Sequence, residues 1–226
     1  MTSHAFDASA EHAPHPVDIS VSPSLTERNR LTTAFRPILA IPHVLLVGGP
    51  LCFGAGFMVW HSGPDPHPDW VAGGGAIGAV AAVSALIAWF AIVFGGQFPP
   101  GLMRLAEFYL RWRVRAAAYL MLLRDEYPPF GDEPYPAMIT FGAIDRERNW
   151  VSVLFRIFLV VPHLIALVFL GVLWGFATLF AWFAILFTGE YPESLYEFSV
   201  GVLRWSVRVE AYLLLLHDQY PPFALH

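Results

Sequence analysis

The chain has 226 residues, room for one or two domains; 56% are hydrophobic and only 14% charged, with a mean hydropathy of +0.53. A soluble domain carries about 25% charged residues, so this chain has too little charge to coat a water-facing surface, which argues against a cytosolic enzyme or a disordered regulator. A net charge of −5 removes the case for a nucleic-acid partner, and a single cysteine, Cys52, leaves no internal disulfide framework or cysteine zinc cluster.

All thirteen basic residues are arginine. Codon bias in a GC-rich genome accounts for that; the functional alternative is guanidinium grip on phosphates and carboxylates. Residues 1–15 are polar, rich in Ala, His and Pro, and lack periodicity or a secretory core, so they are expected to be a disordered tail; His4, His12 and His15 are ordinary tail residues.

An internal duplication follows. Pro16 to His43 matches Pro136 to His163 without gaps, with Glu27, Arg28, Asn29, Phe35, Arg36, Leu39, Pro42 and His43 recurring as Glu147, Arg148, Asn149, Phe155, Arg156, Leu159, Pro162 and His163. The stretch from Ala88 to Phe130 likewise matches Ala181 to Phe223, with about half the positions identical. Repeat 1 is placed at 16–130, a linker at 131–135 and repeat 2 at 136–223; repeat 1 carries 27 extra residues between its matching blocks.

Each repeat opens with a short alternating run, Val17 to Val21 and Ala137 to Phe141, that predicts a strand outside the bilayer. In repeat 1, residues 37–60 and 71–94 are each long enough to cross a hydrocarbon core of about 30 Å. Trp60 and Trp70 flank the polar loop between them. In repeat 2 the apolar run is unbroken from 151 to 188. As one helix it would be roughly 57 Å long, whereas a hairpin turning near Gly171 to Gly175 gives legs of about 27 Å. Two hairpins put every arginine of the repeats on one face, cytoplasmic by the positive-inside rule. The expected fold is therefore all-α integral membrane: a tandem repeat of a transmembrane hairpin plus an interfacial amphipathic helix. The expected site is the bacterial plasma (inner) membrane, multi-pass with both termini cytoplasmic.

The amphipathic helices are expected at about 100–123 and 193–216. Their polar stripes include Arg104, Glu107, Arg111 and Arg115 in one, and Glu193, Glu197, Arg204 and Arg208 in the other. Arginine with interfacial aromatics suits anionic phospholipid headgroups. The expected lipid or partner contacts are Arg104, Arg111, Trp112, Arg115 and Tyr119, then Arg204, Trp205, Arg208 and Tyr212. Asp125 and Asp218 stand ready to pair with these arginines. Arg36 with His43, and Arg156 with His163, lie seven apart and share a helix face. They are either structural pairs, with arginine snorkelling and histidine bonding backbone carbonyls, or a twofold ligand site for haem, metal, quinone or lipid phosphate. Gly48, Gly49, Gly54, Gly56, Gly73, Gly74, Gly75 and Gly78 suggest close helix contacts.

There is no HExxH, GxSxG, P-loop or intramembrane carboxylate pair. The expectation is a non-enzymatic accessory or scaffold protein without metal or cofactor. Its partners would be the lipid bilayer, another membrane protein or a second copy of itself. The alternative is a small-molecule-binding protein or transporter built on the Arg/His pairs. The twice-repeated strings F-R-x(5)-P-H, A-W-F-A-I-x-F-x-G, R-W-x-x-R and D-x-Y-P-P-F resemble a largely actinobacterial membrane-protein family, domain of unknown function 4389, over residues 16–223. The resemblance implies a small polytopic membrane protein and transfers no activity.

Overall fold

A computed structural model describes residues 15–50, 57–61, 67–71, 74–142 and 150–225, with backbone alone at 57–61 and 67–71. The tail with His4 and His12, and Cys52, Gly54, Gly56, Gly73, Glu147, Arg148 and Asn149, lie outside the described residues. The element order is β1 (Val17–Val21), α1 (Arg30–Leu39), α2 (Ile41–Val47), β2 (Phe57–His61), β3 (His67–Val71), α3 (Gly75–Gly95), α4 (Pro100–Leu120), β4 (Ala137–Phe141), α5 (Trp150–Thr188) and α6 (Glu193–Leu213).

The transmembrane hairpins are not formed. α5 runs unbroken through 39 residues, roughly 57 Å. Its buried positions, Val153, Arg156, Val160, His163, Leu167, Gly171, Trp174, Ala177, Ala181 and Ile185, recur every three or four residues along the whole length. One face of this single helix is therefore packed from end to end, and a turn at Gly171 would break the stripe. In repeat 1 the expected helix 37–60 ends at Val47, and residues 57–61 form a strand paired with β3. α1 begins at the cap Asn29, whose side chain accepts the Leu31 and Thr32 amides. It bends 43° into α2, with Pro42 following the break.

The 27 extra residues explain the difference between the repeats. A Cβ on Gly75 would lie 2.6 Å from the Leu46 carbonyl carbon and the Gly48 amide, so the end of α2 meets the start of α3. In the chain, the paired strands β2 and β3 lie between Gly48 and Gly75. Without them, α1, α2 and α3 would trace the path that α5 follows in one piece. Gly75 sits at φ 68, left-handed backbone that a side chain would resist.

The two long rods lie antiparallel. Trp89 Nε1 donates to the Val153 carbonyl at one end (3.1 Å) and Trp182 Nε1 to the Thr33 carbonyl at the other (3.0 Å). β1 and β4 pair antiparallel with Ile19 opposite Ile139, residues that also match in the sequence repeat. An approximate dyad thus passes through this pair and on between the long helices. α4 and α6 fill the layer between, contacting the sheet as well as the long rods. The sheet turns Val17, Ile19, Ala137 and Ile139 inward and Asp18, Ser20, Met138 and Thr140 outward.

The opposite face has another chemistry. On the long rods the exposed side chains include Phe35, Ile38, Leu86, Phe90 and Phe94, and on α5 Phe158, Phe169, Phe180 and Phe187. Among the described residues of α1, α2, α3 and α5, the exposed charge is Arg30, at the very start of α1. α3 and α5 are both long and apolar enough to cross a membrane, and this unpartnered apolar surface marks the chain as a membrane protein.

Candidate functional site

α4 and α6 end alike. The amides of Leu122 and Leu123 bond back to Tyr119 and Ala118, and those of Leu215 and Leu216 to Tyr212 and Ala211, a Schellman arrangement. It requires a left-handed residue, and both times that residue is a leucine (φ 65 at Leu122, 64 at Leu215) where glycine would be unstrained. The strain is held by arginine. Arg36 donates to the carbonyls of Tyr119 (3.2 Å) and Arg124 (2.8 Å) and to Asp125 (2.6 Å), with its guanidinium 4.6 Å from the Tyr119 ring centroid. Arg156 does the same on the Tyr212 carbonyl (2.9 Å), Asp218 (2.6 Å) and the Tyr212 ring (4.2 Å).

Asp125 also receives Arg28 Nη2 at 2.7 Å and the Asn29 amide at 3.1 Å. Burial alone would raise its pKa, but the hydrogen bonds from Arg28 and Arg36 outweigh it and hold the carboxyl below its ordinary range. Asp125 and Asp218 therefore serve Arg28, Arg36 and Arg156 rather than the stripe arginines. The counterpart of Arg28, Arg148, lies outside the described residues.

The histidines sit one layer further along. Trp112 Nε1 donates to His43 Nδ1 (3.0 Å) and Trp205 Nε1 to His163 Nδ1 (3.1 Å). Phe130 and Phe223 stack on the imidazoles at 4.7 and 3.9 Å, so each YPPF segment folds back over its own histidine. Indole N–H can only donate, which makes Nδ1 an acceptor and leaves the proton on Nε2. A metal-ligating histidine keeps an N–H to donate from its second nitrogen; here ligation through Nε2 would demand an imidazolate. The geometry favours locks over haem or metal ligands.

The expected headgroup contacts divide. Trp112, Tyr119, Trp205 and Tyr212 are buried in the fold, not turned toward headgroups. Arg115 binds the Gly131 carbonyl and Asp132, and Arg208 binds the Val17 carbonyl and Asp18, so these buried arginines tie down the linker and β1. Arg204 also reaches Asp18, at 3.0 Å. The helices 100–120 and 193–213 are hence the buried middle layer and not free interfacial helices: Arg115 finds a carbonyl and a carboxylate of the linker, and Arg204 and Arg208 find those of β1. Arg104 is exposed, and Arg111, paired with Glu107 and set over Phe141, keeps part of its surface.

Sequence reasoning missed one cluster. Arg113 Nε contacts Glu210 Oε2 at 2.5 Å, Tyr109 donates its hydroxyl to Glu210 Oε1 at 2.8 Å, and Arg113 Nη1 donates to the Val47 carbonyl at 2.9 Å. Burial, reinforced by the Glu210 charge, pushes the Tyr109 phenol far up, so it stays protonated. The equivalent positions in the other repeat are Ser206, Ala117 and Val202. Charges that break the repeat were the available signal: a cation in one copy and an anion in the other, each without a counterpart.

Two cavities sit at dyad-related places. One of about 390 Å³ is lined by Arg36, Leu120, Gly175, Thr178 and Trp182. The other, about 530 Å³, is lined by the equivalents Arg156, Leu213, Ala82, Ala85 and Trp89, and also by Tyr109 and Glu210. Both arginines have a buried Nε without a hydrogen-bond partner. Leu86, Ile157 and Val161, exposed on the outer apolar face, border the larger cavity.

No curated protein and no solved structure matches the chain. The model of one family matches twice, over residues 74–131 and 151–224, more than half of the length. The chain belongs to the family described as domain of unknown function (DUF4389).

Proposed function

We propose that the protein is a non-enzymatic membrane scaffold that lies in the plane of one leaflet, long helices in the acyl chains and sheet in water. The observation that carries this reading is the dyad. It relates antiparallel long helices and also runs through the β1–β4 pair. Upright helices would put that axis in the mid-plane of the bilayer and the sheet with it. Asp18, Arg204 and Arg208 would then sit near the membrane centre, where translocon scales charge about 2.5–3.5 kcal/mol per residue. The two-stranded sheet would also show unpaired edges to lipid, which a bilayer does not tolerate.

Turned by a right angle, the molecule fits. The apolar face then meets acyl chains along its full 57 Å or so, a length that would otherwise require a tilt of about 58° against an observed range of about 0–40°. Each large apolar side chain removed from water contributes about 1.5–3 kcal/mol. The sheet, with His15 before β1 and Leu225 bonded to Arg204, faces the aqueous side. The multi-pass arrangement gives way to one in which both ends of the chain share the cytoplasmic face of a bacterial plasma membrane. Arg30, Arg104 and Arg111 supply the contact with anionic headgroups.

Nitroxide labels test the orientation. They are placed singly at Phe158, Phe169, Phe180 and Phe187, in a Cys52→Ser background. The first and last are about 43 Å apart along one face. The expected result is one shallow depth for all four. A depth maximum at 169 and 180, with 158 and 187 in water on opposite sides, would overturn the reading.

A further inference from the structure

We infer that the larger cavity is a binding site for a neutral amphiphile: an apolar tail ending in a carbonyl that accepts the Arg156 Nε–H. The inference rests on the membrane reading, because the cavity opens beside Leu86, Ile157 and Val161, where the occupant arrives from the acyl layer.

Three observations select the ligand chemistry. Its walls are chiefly Ala, Leu, Ile and Val, and about 530 Å³ falls in the range of small-molecule sites. Among the described residues its polar end is electrically balanced. Arg156 is neutralised by Asp218, and Glu210 by Arg113, so a charged headgroup would meet one like charge for every opposite one. One donor is unspent: Arg156, 1% exposed, uses both terminal nitrogens but leaves Nε buried with no partner. A buried guanidinium N–H without an acceptor costs about 1–3 kcal/mol, and a ligand carbonyl relieves it. The Tyr109 oxygen, whose proton is committed to Glu210, can accept from a hydroxyl beside that carbonyl.

The dyad supplies an internal comparison. The smaller cavity has the same orphaned Nε on Arg36, but Val202 and Ala117 stand in the positions of Tyr109 and Glu210. Duplication alone would have produced two equal sites; the polar end differs in one copy only. Specificity for the carbonyl-and-hydroxyl pair therefore belongs to the larger cavity.

A diacylglycerol carries this chemistry, an ester carbonyl beside a free hydroxyl; an isoprenoid quinol has hydroxyls but no carbonyl and serves as the comparison. Dioleoylglycerol bearing brominated chains and reduced menaquinone-4 are titrated separately into the full chain in detergent micelles, with quenching of Trp89 fluorescence as readout. The micelle makes leaflet seating irrelevant, so this result and the label-depth result fail independently. The expected outcome is saturable, one-to-one quenching by the glyceride, absent in Trp89→Phe, with at least tenfold weaker binding of the quinol. Affinity should fall about tenfold in Tyr109→Phe, which keeps the ring. Ala82→Phe, which fills the cavity, should abolish binding, while Gly175→Phe in the dyad-related cavity leaves it intact. Melting temperatures taken alongside separate blocking from unfolding, and Tyr109→Phe stands as the test if Ala82→Phe does not fold. No saturable quenching by the glyceride, quinol binding as tight as the glyceride's, or equal loss in Gly175→Phe and Tyr109→Phe, would overturn the assignment.

Discussion

Removing the Glu210 carboxylate by Glu210→Ala leaves the Arg113 guanidinium in a site where the two side chains are only 5% and 9% exposed. Deleting one partner of a buried pair costs about 3–5 kcal/mol, because the other charge stays buried without compensation. For a chain of this size that is a drop of roughly 6–20 °C in melting temperature, at about 2–4 °C per kcal/mol. Arg113→Met with Glu210→Leu removes both charges and refills the space. The exchange itself is neutral to stabilising, but the Tyr109 hydroxyl and the Val47 carbonyl each lose a partner, at about 1 kcal/mol apiece. The double variant should therefore melt within about 2 kcal/mol of the parent, well above Glu210→Ala. Differential scanning fluorimetry in detergent on the parent, both singles and the double completes the cycle. A Glu210→Ala penalty below about 1 kcal/mol, or a double variant as unstable as the sum of the singles, would refute the claim that this pair is buried and mutually dependent.

Trp112→Phe and Trp205→Phe should each cost about 1–3 kcal/mol by stranding a buried histidine Nδ1, with equal melting shifts in the two halves as the check. Asp125 has a folded pKa below its unfolded value, so its stabilisation is fully present above the ordinary carboxylate range and is lost as pH falls through the folded value. Acid titration of thermal stability should show this low-pH loss in the parent and less of it in Asp125→Asn. Deleting residues 48–74 while changing Gly75 to Val, the residue at the matching position 168, should preserve the fold and raise the helical fraction seen by circular dichroism; an unfolded product would contradict the continuity of α2 with α3. Arg30, Arg104 and Arg111 changed together to Gln should weaken binding to anionic vesicles by about 3 kcal/mol, on the order of a hundredfold. An unchanged flotation profile would remove them from the headgroup contact.

Much of the architecture was written in the repeat. Matching Pro16–His43 to Pro136–His163 located both strands, and the length of the apolar run 151–188 already offered a single 57 Å helix as one of two solutions. The strings F-R-x(5)-P-H and D-x-Y-P-P-F held both halves of each lock, Arg36 with Asp125 and Arg156 with Asp218. Their pairing was invisible because the partners are 89 and 62 residues apart. The stripe arginines misled for a related reason. Periodicity puts Arg111 with Arg115 on one face of α4, and Arg204 with Arg208 on one face of α6, but it cannot say whether such a face meets headgroups or, as for Arg208, the carbonyls of a strand nearly two hundred residues away.

The sequence by itself determined that this is a duplicated, strongly apolar chain with strands at the head of each copy and arginine kept apart from the long hydrophobic runs. Those properties follow from composition and local spacing, which act within a few turns of backbone. Only the tertiary structure decided that the long runs are rods and not hairpins, because a continuous buried stripe exists only once α4 and α6 supply a surface to pack against. The proposed orientation rests on it as well. The antiparallel pairing of Ile19 with Ile139 fixes a symmetry axis, and a charged sheet on that axis cannot be placed at the centre of a hydrocarbon layer.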